Sequence, residues 1–375
     1  MQGFPQAEYE ARLARVQADM DAKGFGALLL TEEPDVRYFS GFLTRFWESP
    51  SRPWFLVVPL SGKPIAVIPS IGAALMGQGW LEDIRTWPAP QPEDDGVSLL
   101  SETLREVGGP VAVPMGYETV LRMPLADFQR MKTTLNLSVV ADDGLMAGQR
   151  AIKSEAEIAK IAHTCAVAGR AFDRVGEIAA AGTPLSDVFR NFQRLLLEEG
   201  ADWVPYLAGG AGQGGYTDVI SPASDTPLQT GDVLMLDTGA VCDGYFCDYD
   251  RNFAVGAIDR ATKDAHAQLI EAALAGFEAA KPGASARDVW HAMAGIVGAG
   301  ETTGRLGHGL GMQLTEGLSL MADDHTELRP GMVITLEPGI AMPGEKIMVH
   351  EENIVITQAG ARPLSVFYEP AMIVI

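Results

Sequence analysis

The chain has 375 residues, 47% of them hydrophobic, with 28 Lys and Arg against 49 Asp and Glu, a formal net charge of −21. That length exceeds one ordinary core, so two domains are expected. The acid excess argues against nucleic acid and anionic membranes as partners, because both select basic patches, and no apolar run approaches the ~20 residues needed to cross a bilayer.

Tyr9, Leu13, Val16 and Met20 recur at helical spacing, so the chain opens on an amphipathic helix that Gly24 ends. The same stretch lacks a basic region followed by an apolar one, so no secretory signal is expected. "GALLLT", "WFLVVPL" and "PIAVIPS" read as buried strands, the last two separated by the turn "SGK". Strands and helices alternate up to "LSVVADDGLM", the expected last strand of a first domain over residues 1–145. "GLMAGQRAIKS" reads as the connection to a second domain over 150–375. Among turn residues, "RFWESPSRPW" (45–54) groups Phe46, Trp47 and Trp54, an aromatic segment suited to plain packing or to capping a site across a dimer.

The second half begins with a long helix. Ser154 followed three residues later by Glu157 is a capping box, and Ile158, Ile161, Ala162 and Cys165 form its apolar face. "GTPLSDVFRNFQRLLLEEG", "DAHAQLIEAALAGFEAA" and "SARDVWHAMAGIVGAG" read as three more helices. Strand-like runs cover 233–237, 244–255, 332–337 and 347–357, so helices on one side of an antiparallel sheet, an α+β layer architecture, are expected. "AGGAGQGG" (208–215) lacks the Gly-Lys-Ser/Thr and the following helix of a phosphate loop. It reads as a flexible pocket wall, with Tyr216 at its end as a candidate substrate contact. The three cysteines, Cys165, Cys242 and Cys247, show no CxxC spacing, which fits a reducing cytoplasm better than a disulfide framework.

The chemistry lies in "LMLDTGAVCDGYFCDYDRNF" (234–253). Asp237 interrupts an apolar strand and Asp248 follows eleven residues later, with only Arg251 nearby as a cation. A bare buried carboxylate costs several kcal/mol. His308 in "LGHGLGM", Glu337 in "ITLEPG" and Glu351 in "MVHEENIVIT" also sit on β-like runs. Each alone has an ordinary structural explanation. Together, four carboxylates and one imidazole supply charge for two divalent cations, and such oxygen-rich ligands with one nitrogen suit Mn, Fe, Co or Zn.

"GDVLMLDTGAVCDGYFCDYDRNF", "GHGLGMQLTEG", "LRPGMVITLEPG" and "HEENIVIT", in that order, resemble the pita-bread family of methionine aminopeptidase, aminopeptidase P, prolidase and creatinase. "ALLLTEEPDVRYFSGF" resembles the N-terminal domain of the creatinase and prolidase branch, so nearly the whole chain is covered. The resemblance implies a pita-bread catalytic domain, a curved and mainly antiparallel sheet with two pairs of helices, behind a smaller α/β domain. It implies Asp237, Asp248, His308, Glu337 and Glu351 as metal ligands, with Asp248 and Glu351 bridging. Glu352 is the register alternative to Glu351, since strand alternation puts only one of them on the metal face. Creatinase itself lacks this ligand set, so its retention here argues for bound metal.

The departures concern substrate. In the peptidases a histidine stands seven residues after the metal histidine, followed by Glu; here Thr315 takes that place and Glu316 keeps the Glu. A second family histidine, in the loop before the first aspartate strand, has no counterpart. Glu337 is the nearest candidate to shuttle a proton, with Glu316 as a second. The resemblance thus implies a metallohydrolase of the Xaa-Pro aminopeptidase or prolidase type acting on a small peptide or amide, with two divalent ions, Mn²⁺ first and Co²⁺, Fe²⁺ or Zn²⁺ as alternatives. A non-peptidase enzyme on the same scaffold, resembling the dimethylsulfoniopropionate lyases or the creatinase-like amidinohydrolases, is the second reading; a silent binding protein is a third. The expected partners are a small-molecule or short-peptide substrate and a second copy in a homodimer.

Overall fold

The computed structural model describes residues 3–49, 52–300, 303–367 and 369–375. Pro50 and Ser51 of the aromatic segment lie outside the described residues. The chain forms two compact units, Met1–Arg150 and Ala151–Ile375.

The first unit is α/β. Helix Gln6–Lys23 buries Tyr9, Leu13, Val16 and Met20, and Gly24 ends it in the left-handed conformation that glycine adopts without cost. A six-stranded mixed sheet follows. Strand Ala27–Leu30 pairs antiparallel with Phe55–Pro59, which pairs antiparallel with Ile65–Pro69. Parallel pairings with Asp83–Trp87, Val111–Val113 and Val139–Ala141 complete it. All four residues of Ala27–Leu30 are buried, as expected of an apolar run covered on both faces. Trp47 and Trp54 are both buried, with ring centroids 5.7 Å apart. The stretch expected to be a bare connection contains helix Leu145–Ala151.

In the second unit the capping box closes as expected: Ser154 Oγ accepts from the Glu157 backbone N–H, and the Ser154 N–H donates to Glu157 Oε2 at 2.9 Å. Helices Glu155–Asp173 and Leu185–Glu199 form one pair, and Arg260–Ala279 and Ala286–Val297 the other. The main sheet is antiparallel over Trp203–Gln213, Asp232–Cys242 and Tyr249–Ala254. A second sheet joins Val333–Leu336, Glu352–Thr357 and Gly360–Pro363, and the hairpin Gly339–Met342/Lys346–Val349 lies beside it in sequence.

One difference from the sequence reading matters for the site. The glycine-rich stretch is not a flexible wall but most of strand Trp203–Gln213, in register with the aspartate strand, Ala208 opposite Asp237. Glycine is needed there because a Cβ on Gly209 would lie 2.2 Å from the Met235 carbonyl. β-Propensity misses this strand because its glycines answer to a neighbouring backbone rather than to side-chain packing.

Candidate metal centre

Asp237 lies in the middle of strand Asp232–Cys242, every residue of which is buried. The chain turns at 243–244 and returns through Tyr245–Phe246 and Tyr249–Ala254. Asp248 falls in the gap between these two strands. The ladder is patched there by Asn353, whose side chain accepts from the Asp248 N–H at 3.0 Å and donates to the Asp248 carbonyl.

His308 arrives on an extended segment bridged to Ser319, with Gly309 bridged to Ile334. The glycines of "GHGLG" permit this approach: a Cβ on Gly307 would meet the Thr335 carbonyl at 2.3 Å, and one on Gly309 the Glu316 carbonyl at 2.0 Å. The Thr335 backbone N–H donates to the His308 carbonyl at 2.7 Å, and the Thr335 hydroxyl donates to Glu337 Oε1 at 2.5 Å. His308 Nδ1 lies 3.0 Å from the Gly309 carbonyl. A proton held at that nitrogen leaves Nε2 free as a metal donor.

The donors converge in two groups. Asp248, His308 and Glu337 form one, Asp237, Asp248 and Glu351 the other, and within each the ligand atoms lie within 4.8 Å of one another. Asp248 is common to both. His308 Nε2 stands 2.9 Å from Glu337 Oε1 and 3.2 Å from Asp248 Oδ2. Asp237 Oδ1 and Glu351 Oε2 are buried and accept no hydrogen bond among the described residues.

Electrostatics point the same way. Burial, reinforced by neighbouring carboxylates, pushes Asp237 and Glu351 well above the usual carboxylate range. Burial also raises Asp248 to about 6, against the pull of His308. For His308, burial acts downward but Glu337 and Asp248 outweigh it, holding the imidazole up at about 10. Protons are thus the only local source of positive charge that these five groups have among themselves. A cation satisfies orphaned oxygens and crowded charge at once, so the residues fit divalent metal.

The remaining candidates fall elsewhere. Glu352 points away from the cluster. It is fully buried and pairs with Arg251 at 3.0 Å, with His350 at 3.0 Å and with the Ser365 hydroxyl. Tyr216 is only 2% exposed; its hydroxyl accepts from the Val349 N–H at 2.7 Å and so braces the strand leading to Glu351. Glu316 forms a buried ion pair with Lys153 at 2.7 Å that anchors the loop after His308. Thr315 is partly exposed, its hydroxyl 3.4 Å from the Arg305 guanidinium.

Two residues at the centre were not singled out in the sequence. Tyr206 is half-buried and its hydroxyl faces the Asp237 carboxylate; burial and that carboxylate together raise its pKa. Its strand was not expected, so nothing pointed to it. Asn353, inside "HEENIVIT", reads as an ordinary strand position until its partner Asp248 is known.

The model of metallopeptidase family M24 matches residues 159–358. The chain belongs to this family. The creatinase/prolidase N-terminal domain model matches residues 12–152, so the expected two-domain pita-bread architecture holds. The chain is 30% identical over 367 residues to a probable dipeptidase PepE of Mycobacterium bovis, spanning 96% of this chain and 94% of that protein. It is 27% identical over 352 residues to an Xaa-Pro dipeptidase of Pyrococcus horikoshii, spanning 92% and 94%. The solved structure of dipeptidase PepE from Mycobacterium ulcerans superposes with a TM-score of 0.85 at 26% identity, covering 99% of each chain. A prolidase from Thermococcus sibiricus gives 0.87 at 22% identity, a likeness of fold. As an M24 member the chain is a metallohydrolase of a family that implies divalent ions, and the carboxylates and histidine grouped here fit such ions. Among the described residues no helix is long and apolar enough to cross a membrane.

Proposed function

We propose that this M24 enzyme hydrolyses a short peptide, an Xaa-Pro dipeptide or a close relative, at a dinuclear centre held by Asp237, Asp248, His308, Glu337 and Glu351. The carrying observation is the pair of three-residue groups that share Asp248. A shared carboxylate is what two adjacent ions require, and one ion would leave Asp237 and Glu351 or His308 and Glu337 unused. When bound, the ions acidify water and polarise the scissile carbonyl.

The chain's own residues have separable tasks. Glu337, 15% exposed and held low in pKa by His308 and Thr335 against the upward push of burial, would take a proton from the attacking water and pass it to the leaving amine. Tyr206, beside Asp237, is placed to donate to an oxygen as charge develops there. The Lys153–Glu316 pair and the Tyr216 hydroxyl hold the loop and strand that carry His308 and Glu351. The relatives' activities weigh toward peptide hydrolysis over the lyase and amidinohydrolase readings.

The test is a substrate panel on Mn²⁺-loaded protein spanning Xaa-Pro dipeptides, other dipeptides, other amides and sulfonium compounds. Peptide hydrolysis above all others is expected. Turnover confined to sulfonium compounds or guanidino amides would remove this reading.

A further inference from the structure

Strands Val333–Leu336 and Glu352–Thr357 pair antiparallel with Thr335 directly opposite Asn353. Residues paired in this way put their side chains on the same face of the sheet. Both side chains are fully buried. A polar side chain sealed in a core is kept there by its hydrogen bonds, and the partners here are candidate metal ligands. The Thr335 hydroxyl accepts from the His308 backbone N–H at 2.9 Å and donates to Glu337 Oε1 at 2.5 Å. The Asn353 amide accepts from the Asp248 backbone N–H at 3.0 Å and donates to the Asp248 carbonyl. Asp248 falls between strands Tyr245–Phe246 and Tyr249–Ala254, outside their ladders, so the amide holds its backbone as a neighbouring strand would. Asn353 is held in turn: its N–H donates to the Ser365 hydroxyl at 2.9 Å, its carbonyl accepts from the Leu364 N–H at 2.8 Å, and the Cys165 thiol lies 3.3 Å from its Oδ1. Asp248, His308 and Glu337 are the three members of one ligand group. They come from three separate places in the chain, and one cross-strand pair touches them all.

We propose that Thr335 and Asn353 act as one positioning pair, which holds Asp248, His308 and Glu337 at the spacing that a single divalent ion needs. Neither is a ligand; each acts through a ligand that it holds. The chemistry required of each is specific. Valine has the shape of threonine without the hydroxyl, so it would free the Glu337 carboxylate to turn and leave the His308 N–H without its acceptor. Aspartate has the shape of asparagine but only accepts, so the Asp248 carbonyl would face a carboxylate in place of a donor. Partners that orient metal ligands are typically worth about 10–100-fold in metal affinity. Because the two residues sit opposite each other on paired strands and serve the same three donors, losing either one spoils the same site. This assignment rests on the metal centre proposed above.

The test is Co²⁺ titration of the metal-free protein, read by elemental analysis and by the visible absorption of bound Co²⁺, which reports the geometry of its ligands. Thr335→Val and Asn353→Asp should each weaken the binding of one ion at least tenfold and change its spectrum. Thr335→Ser, which keeps the hydroxyl, should stay within about threefold of the wild type. The double variant Thr335→Val with Asn353→Asp should lose about as much as the worse single variant, since both act on the same ion. Thr164→Val removes an equally buried hydroxyl, one that donates to the Lys160 carbonyl at 3.0 Å, and should leave the titration unchanged. Should Asn353→Asp not fold, Asn353→Ser takes its place. Unchanged Co²⁺ binding in Thr335→Val, an equal loss in Thr335→Ser, or losses that multiply in the double variant overturns the proposal. Wild-type protein that binds no Co²⁺ removes the centre and the pair with it. The expected titrations without any peptide turnover would leave the pair standing and remove the peptidase reading instead.

Discussion

At the scale of single residues, the centre depends on a shared ligand and on absent donors. Asp248 belongs to both groups of ligands, so Asp248→Ala should lose both ions, whereas His308→Ala removes a donor from one group only. Elemental analysis after loading reads the difference; unchanged metal in Asp248→Ala would falsify the centre. Thr315 offers a shorter reach than an imidazole and no group that titrates near neutrality. Losing one preorganised donor typically costs ~10²–10³ in kcat. Xaa-Pro cleavage by the natural protein should therefore be slow for the family. Thr315→His should raise it or leave it unchanged, read as kcat/KM for an Xaa-Pro dipeptide on metal-loaded protein before and after the change. Turnover at the ordinary enzyme scale of ~10⁴ M⁻¹s⁻¹ or more would show that the missing histidines are dispensable here.

At the scale of elements, the loop 309–317 stays in place because a buried ion pair ties it to the residue before a helix. Lys153 and Glu316 have side chains only 3% and 7% exposed. Removing one partner strands the other charge in the interior, a loss of ~3–5 kcal/mol. Lys153→Met should lower stability by that order and, by loosening the loop, weaken metal binding at His308. Lys153→Met with Glu316→Leu should recover much of the stability. Denaturant melts of the three proteins decide it, and a fully additive double mutant would mean the pair is not coupled. The glycines of this loop are equally constrained: Gly309→Ala has no room beside the Glu316 carbonyl and should abolish metal binding or folding.

At the scale of the whole molecule, bound cations and buried imidazoles set stability. Stripping metal leaves Asp237, Asp248, Glu337 and Glu351 crowded together, so chelated protein should melt lower than loaded protein by differential scanning calorimetry. His266 is fully buried, and burial lowers its pKa to about 4 from an ordinary 6.5. The unfolded chain takes up the proton first, so this contribution is complete above pH 6.5 and is lost as pH falls toward 4. The loss is on the order of 3 kcal/mol at most. His266→Asn should flatten the fall in melting temperature over that window in loaded protein; parallel profiles would exclude the residue. We further propose a homodimer, as the family resemblance implies. Light scattering should report twice the chain mass at micromolar concentration, and a monomer would remove the idea.

The sequence by itself determined the elements and the ligand types. Helices were legible because their apolar spacing, the Ser154 capping box and the glycine at 24 are local signals, and the five candidate ligands were legible because carboxylates on apolar strands demand a cation. Register decided the rest. Whether Glu351 or Glu352 faces Asp237 depends on which strand lies opposite, and the packed structure gives Glu352 to Arg251. Tertiary contacts also decide what Tyr216 and Glu316 touch: the hairpin strand Lys346–Val349 lies against the first, and Lys153 pairs with the second. The strand Trp203–Gln213 and its Tyr206 were hidden because its glycines are required by a backbone far away in sequence. Contacts between distant segments are set by summed packing over the whole domain, and no local window of residues carries that sum.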